Sequence, residues 1–235
     1  MKNRISSSQE AYGVIILPKY PGVSPLVVRR LPRYYRLLTE LMKNGVERIS
    51  SREFADMIGF TASQIRQDLN CFGGFGQQGY GYNVASLRAE IGRILSVDGN
   101  LPTILVGVGN LGLALANHVN FEACGFKLLA LFDESPTTVG KNINHWTVRH
   151  VSELTDFCKE HHPLAAVLCV PPSAVPDLVK KLIDLNVKCY WNFTQYDLSS
   201  LYRDQILVED VQLTDSLMTL SFHANEFLHT ELKKT

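Results

Sequence analysis

Apolar and polar positions change period several times along the chain. From Pro32 to Gly45, Tyr35, Leu38, Leu41 and Met42 recur at helical spacing, which predicts an amphipathic helix with Pro32 at its first position and Gly45 as its stop. SSREFADMIG follows. There Ser50 and Glu53 form a capping box, Phe54, Met57 and Ile58 face inward, and Gly59 ends a short helix. A second box, Thr61 with Gln64, opens TASQIRQDL. Two short capped helices around a glycine turn predict a helix-turn-helix. The next stretch, FGGFGQQGYGYN, alternates glycines with aromatics and reads as a glycine-rich hairpin.

Val84–Leu95 reads as a connecting helix and SVDGNLP as a boundary. Beyond it, the apolar runs ILVGVG, FKLLALFD, LAAVLCV and VKCYWNF alternate with helical stretches at Leu111–Val119, VSELTDFCKEH and AVPDLVKKLIDLN. Continuous apolar strands alternating with amphipathic helices predict a parallel sheet covered on both faces. TDSLMTLSFHANEFLH is left over as a C-terminal amphipathic helix.

The expected fold is therefore α/β. A winged helix-turn-helix at 26–97 follows a loose, Pro-, Gly- and Ser-rich arm at 1–25, in which Val14–Leu17 could dock locally. A Rossmann-type parallel sheet spans 98–212, and a dimerisation helix spans 213–235.

Charge sharpens the division. The chain is neutral overall, yet residues 1–100 hold 13 Lys and Arg against 8 Asp and Glu, a net +5, and the remainder nets −5. A basic front and an acidic back imply two domains with different partners. Hydrophobic content of 46% and charged content of 20% suit a soluble globular chain. No apolar run reaches the ~18 residues of a membrane span, and MKNRISSSQE lacks the features of a signal peptide. Cytoplasmic residence is the expectation. The five widely spaced cysteines (Cys71, Cys124, Cys158, Cys169, Cys189) are expected to be reduced and structural. The pair His161–His162 has no second ligand at metal-binding spacing, so no metal site is expected.

Two constellations carry chemistry. Gly107, Gly109 and Gly112 form G-x-G-x-x-G between a strand and a helix, and Asp133 closes the next strand 21 residues after Gly112. Glycines there permit a tight turn, backbone approach to a pyrophosphate and close helix–strand packing, while the acidic residue suits ribose hydroxyls. No arginine stands beside Asp133, so NAD(H) is favoured over NADP(H). The plainer alternative is an α/β core with an incidental glycine turn. The second constellation is the polar face of Thr61–Leu69. Gln64, Arg66 and Gln67 suit adenine and guanine edges in the major groove, and Thr61 and Ser63 suit phosphate oxygens. Here the plainer alternative is an ordinary capped surface helix.

From about Arg30 to Asn225 the chain resembles the Rex family of NADH-sensing bacterial repressors. The resemblance is carried, in order, by RLPRYYR, SSREFADMIGFTASQIRQDL, FGGFGQQGYGYNV, GVGNLGLALAN, LCVPPSA, YWNFT and DSLMTLSF. It implies a redox-sensing transcriptional repressor without enzymatic activity, a homodimer on an inverted-repeat operator. NADH would release it from DNA, and NAD+ would compete without releasing it. It places Gln64, Arg66 and Gln67 in the major groove and the Phe72–Tyr82 hairpin, with Gln77, Gln78 and Tyr80, over the minor groove. It places the nucleotide on Gly107–Gly112, including Val108, Asn110 and Leu111, and on Asp133. Val170, Pro171, Asn192 and Phe193 would line the nicotinamide end. The helix from Asp215 would be exchanged between subunits and contact the partner's DNA-binding domain.

Gln67, Gln77 and Gln78 stand where many relatives carry basic residues, which lowers the phosphate-driven part of affinity and its salt slope. In one version of the family's switch, Arg, Tyr and Asp side chains rewire. Their positions here hold Arg36, His118 and Gln212, and only the arginine is kept, so that network is not assigned to this chain. The main alternative is an NAD-dependent dehydrogenase. Residues 101–212 leave no room for a substrate domain, and no His–Asp or Lys pair is evident beside the nicotinamide end. A corepressor that binds NAD without reading DNA is the second alternative.

Overall fold

The computed structural model describes residues 22–75 and 80–232. The apolar run Val14–Leu17, Gln77 and Gln78 lie outside them. Contacts divide the chain into two units meeting between Leu95 and Ser96.

The first unit opens with α1 (Pro25–Lys43), earlier than the apolar period indicates. Ser24 caps it through a bond from the Leu26 N–H (3.3 Å) and Pro25 takes the first position, so Pro32 lies inside the helix. Its buried stripe is Val27, Leu31, Tyr34, Leu38 and Leu41: Leu38 and Leu41 face inward as expected, Tyr34 takes the place of the half-buried Tyr35, and Met42 is exposed. After β1 (Arg48–Ile49) come α2 (Ser51–Ile58) and α3 (Ala62–Asn70). The Ser50–Glu53 box is complete, and Gly59 at φ +68° ends α2 in the left-handed conformation. Met57, expected inside, is 59% exposed. α2 is only two turns long, and Phe54, Ala55 and Ile58 already fill its inner face.

β2 (Tyr82–Asn83) pairs antiparallel with β1. The strand leaving the glycine-rich stretch thus closes on the segment before α2. The middle of the expected Phe72–Tyr82 hairpin, residues 76–79, lies outside the described residues. Gly81, at φ +68°, passes so near β1 that a Cβ would sit 2.6 Å from the Ile49 carbonyl oxygen. α4 (Val84–Leu95) packs along α1, where Arg88 stacks on Tyr35 and donates to its hydroxyl (2.7 Å) and to Thr39 Oγ1 (2.8 Å).

The second unit is built on β3 (Leu101–Val106), β4 (Phe126–Asp133), β7 (Arg149–His150), β8 (Ala165–Leu168), β9 (Cys189–Asn192) and β10 (Leu207–Asp210), with a small β5–β6 hairpin (Asn142–Ile143, Trp146–Thr147). The six-stranded sheet is parallel throughout, in the order β10-β9-β8-β3-β4-β7. Helices α5 (Asn110–His118), α6 (Leu154–His161), α7 (Val175–Asp184) and the one-turn α8 (Leu198–Leu201) make the crossovers. Neighbouring strand residues serve opposite faces. Ile104, Val106, Ala166 and Leu168 enter one apolar cluster, and Leu105 and Val167 the other. This two-sided burial is why the strands read as unbroken apolar runs. The chain moves outward from β3 through β4 to β7 and then returns beside β3 as β8. The loops leaving β3 and β8 therefore diverge, opening a crevice at the strands' C-terminal ends.

α9 (Leu213–Leu232) is a 20-residue helix. Its Leu217, Met218, Phe222 and Phe227 side chains are all more than 60% exposed. No described helix is long and apolar enough to cross a membrane.

The α1–α3 junction carries a first prediction. Asp68, 1% exposed, accepts from Arg30 Nε (2.6 Å) and Nη2 (2.7 Å), Tyr34 Oη (2.6 Å) and Gln64 Nε2 (2.8 Å). Burial pushes the carboxyl up, but these donors and the Arg30 charge outweigh it and hold it below the usual carboxylate range. A depressed folded-state value stabilises the fold at neutral pH, and that stability is lost as the pH falls below about 4. Asp68→Ala leaves Arg30 unpaired and is expected to cost about 3 kcal/mol. Urea melts at pH 7 and pH 3 check both points: the gap between wild type and variant should narrow at the lower pH.

Candidate functional site

The crevice beside β3 is organised by three glycines with three different duties. Gly107, at φ +95°, turns the chain out of β3, and a Cβ there would lie 2.5 Å from the Cys169 carbonyl oxygen. Gly112 sits in the first turn of α5, where a Cβ would run into the Gly107 carbonyl, so helix and strand cross too closely for any side chain. Gly109 is the N-cap of α5 without a side-chain cap, and a Cβ on it would meet nothing within 4 Å. The protein's own packing does not require that glycine. It leaves the backbone bare toward the crevice.

The N–H groups of Asn110, Leu111 and Gly112 have no partner among the described residues. They point out of a helix N-terminus, an arrangement that suits an anion such as a pyrophosphate. Asp133 latches the turn: Oδ2 accepts from the Val108 N–H (2.6 Å) and Oδ1 from the Ser135 N–H (2.8 Å). Each carboxylate oxygen keeps a second acceptor site.

The cleft encloses about 590 Å³ between Gly107, Gly109, Asp133, Cys169, Val170 and Pro171, with Glu134, Ser135, Val151, Ala174, Asp177, Leu178 and Lys181 completing its wall. Burial pushes the Cys169 thiol up to about 12, so it stays neutral there. A second, strongly apolar hollow of about 480 Å³ lies on the sheet over β8–β10, between Phe121, Val167, Trp191 and Leu207, away from the glycine turn.

The structure thus brings together Gly107, Gly109, Asp133, Val170 and Pro171. Asn192 and Phe193 do not line this cleft. Asn192 is fully buried, with its Nδ2 donating to Asp210 Oδ1 (2.7 Å) and the Tyr196 carbonyl (3.0 Å) and its Oδ1 accepting from the Thr194 N–H and hydroxyl. Its amide is spent on the turn after β9, while Phe193 packs edge-on against Trp191. Sequence reading missed the wall from α7. Asp177 and Lys181 look like a solvated i,i+4 pair, and only the crossover direction turns them to the cleft.

In the first unit, Ser63, Arg66 and Gln67 are exposed on α3. Among the described residues Arg66 makes one hydrogen bond, to Ser51 Oγ (2.9 Å). Thr61 caps α3 through the Gln64 N–H (3.1 Å), but the reciprocal half of the expected box is missing. The Gln64 side chain is half-buried and bonded to Asp68 instead. Tyr80 is 70% exposed, and its carbonyl is held by Arg48 Nη1 (3.0 Å). His118 and Arg36 are exposed, and Gln212 Nε2 donates to the Thr194 carbonyl at 3.4 Å. No group of three or more metal-ligating side chains occurs among the described residues.

Two family patterns match the chain: "Putative DNA-binding protein N-terminus" over residues 22–70 and "CoA binding domain" over 98–196. The redox-sensing transcriptional repressor Rex of Clostridioides difficile is 47% identical over 87% of this chain and 97% of its own length. That of Caldicellulosiruptor saccharolyticus is 47% identical over 89% and 95%.

The chain belongs to the Rex family of redox-sensing transcriptional repressors.

Among solved structures, RSP in complex with β-NAD+ and operator DNA matches with a TM-score of 0.80 and 46% identity, covering 91% of this chain and 98% of that one. RSP described as a Rex-family repressor matches with the same TM-score at 42% identity. The winged helix-turn-helix followed by a Rossmann-type parallel sheet is thus the architecture of the Rex family, whose members are named as repressors and not as enzymes.

The glycines give a prediction in stability alone. Gly112→Ala forces a Cβ onto backbone and is expected to destabilise by about 2 kcal/mol or more. Gly109→Ala adds its Cβ in open space and changes only the cap, within about 1 kcal/mol. Thermal melts of the two variants check the order.

Proposed function

We propose that this Rex-family chain represses transcription as a homodimer on inverted-repeat operator DNA and leaves that DNA when NADH occupies the cleft beside β3. The carrying observation is Gly109, a glycine that the packing of the described residues does not require, set at a helix N-terminus whose first N–H groups have no partner among them. RSP, its 46%-identical relative, is described in complex with β-NAD+ and operator DNA, and again with β-NADH.

In this reading the N–H groups of Asn110, Leu111 and Gly112 take the pyrophosphate, and Val108 is held in place by Asp133. The free acceptor sites of Asp133 receive the ribose hydroxyls. Its charge disfavours a phosphorylated ribose, which argues against NADP(H) and coenzyme A alike. Val170 and Pro171 bound the nicotinamide end. Asn192 and Phe193 act by shaping the turn behind it. The ligand is sensed and not turned over: what it supplies is a ring that is cationic when oxidised and neutral when reduced. An apolar wall at Val170 and Pro171 favours the neutral ring, because burying a charge is costly, and NAD+ competes without releasing DNA.

On DNA, Thr61, Ser63, Arg66 and Gln67 of α3 face the major groove, and the glycine-rich segment with Gln77, Gln78 and Tyr80 lies over the minor groove. We take the chain as a 1–25 arm, a 26–97 reader, a 98–212 sensor and a 213–235 dimerisation helix exchanged between subunits, in a cytoplasmic protein. The uncovered apolar side chains of α9 and the apolar hollow over β8–β10 support a dimer. Release then requires two dimer arrangements that differ in affinity for NADH, since a ligand shifts an equilibrium only by its differential affinity.

Two variants separate the halves. Arg66→Ala is expected to abolish specific operator binding and leave NADH affinity unchanged by titration. Asp133→Ala is expected to weaken NADH at least about tenfold, the effect of losing hydrogen bonds to a charged group, while operator binding persists. Normal operator affinity in the first, or normal NADH affinity in the second, would remove that residue from its role. Truncation before Leu213 should yield monomers in sedimentation velocity, and a truncated dimer would refute the α9 assignment.

A further inference from the structure

The side chains that α3 holds outward are not the set that its sequence suggests. Ser63, Arg66, Gln67 and Asn70 are all exposed. Their offsets of three, four and seven residues place them on one helical face. Gln64 falls outside this face and is half-buried. Its Nε2 donates to Asp68 Oδ1, and the same carboxylate receives both nitrogens of the Arg30 fork and the Tyr34 hydroxyl. To reach a base edge, Gln64 would have to give up a charge-assisted bond and leave a buried carboxylate short of a donor. The Asn70 amide, by contrast, has no hydrogen-bond partner among the described residues. Among the described residues Arg66 makes a single hydrogen bond, to Ser51 Oγ, which leaves most of its guanidinium donors without a partner there.

We propose that α3 reads bases with Ser63, Arg66, Gln67 and Asn70, and that Gln64 is withheld from the DNA by Asp68. This rests on α3 being the recognition helix. From Ser63 to Asn70 the helix rises about 10 Å, equal to about three base-pair steps of ~3.4 Å. The four side chains thus form a ladder matched to the pitch of a half-site. Arg66 suits the O6 and N7 of a guanine. Gln67 and Asn70 each suit the N6 and N7 of an adenine, so the half-site presents adenine at two separate positions.

The test selects preferred sequences from a randomised double-stranded DNA pool with the full chain, then repeats the selection with single variants. Gln64→Ala is expected to select the same sequence with affinity within threefold. Asn70→Ala is expected to lose about tenfold of preference at one base pair, the scale of a lost amide–adenine pair, and to keep the rest. Lost preference at any base pair in Gln64→Ala overturns the proposal, and so does an unchanged pattern in Asn70→Ala. An Arg66→Ala protein that keeps the full preference would instead remove α3 from the bases altogether, which separates the two failures.

Discussion

The second unit turns on a backbone crossing in which β3, the glycine turn and α5 approach too closely for side chains. Gly107 presses against the Cys169 backbone and Gly112 against the Gly107 carbonyl, so the N-terminus of α5 is drawn onto the end of the sheet. Asp133 then ties the turn to the end of β4 through the Val108 N–H. Because the order in which the chain adds strands reverses between β3 and β8, this crossing faces a cleft and not a packed neighbour. Helix dipole, bare N–H groups and carboxylate converge there as a consequence of topology, and no separate device is needed to assemble them.

The first unit solves a different problem with a different interaction. A nine-residue helix cannot hold its pose by propensity alone. Ile65 and Leu69 bury it, and Asp68 fixes its orientation with four hydrogen bonds from α1 and from its own first turn. A buried charge is expensive unless fully partnered, and among the described residues no buried side-chain polar atom lacks a partner. The carboxylate therefore sorts the polar side chains of α3 into those tied inward and those left free.

Most of this was legible in the sequence because it depends on spacing. The alternating apolar runs gave the sheet, the three glycines and Asp133 gave the cleft, and Ser50 with Glu53 gave the start of α2. The rest depended on partners distant in the chain. Pro32 reads as a helix start because Ser24–Pro25, the actual cap and first position, lie in a Pro-, Gly- and Ser-rich stretch. Gln64 looked like a reader because its acceptor is shared with Arg30 and Tyr34, more than 30 residues away. Asn192 is placed at the nicotinamide end by the family resemblance alone, and its amide is tied instead to Asp210 on β10, a four-residue edge strand too short to register as a period. The pairing of β2 with β1 was hidden for the same reason.

NADH in the second unit governs DNA binding by the first, and one titration measures that coupling directly. Fluorescence anisotropy of labelled inverted-repeat operator bound to the full chain would be followed as NADH or NAD+ is added, with occupancy read from nucleotide fluorescence in the NADH arm. NADH is expected to release the DNA as the cleft fills, while NAD+ at the same concentrations leaves it bound and shifts the NADH curve to higher concentration. DNA that stays bound when the cleft is saturated with NADH would contradict it.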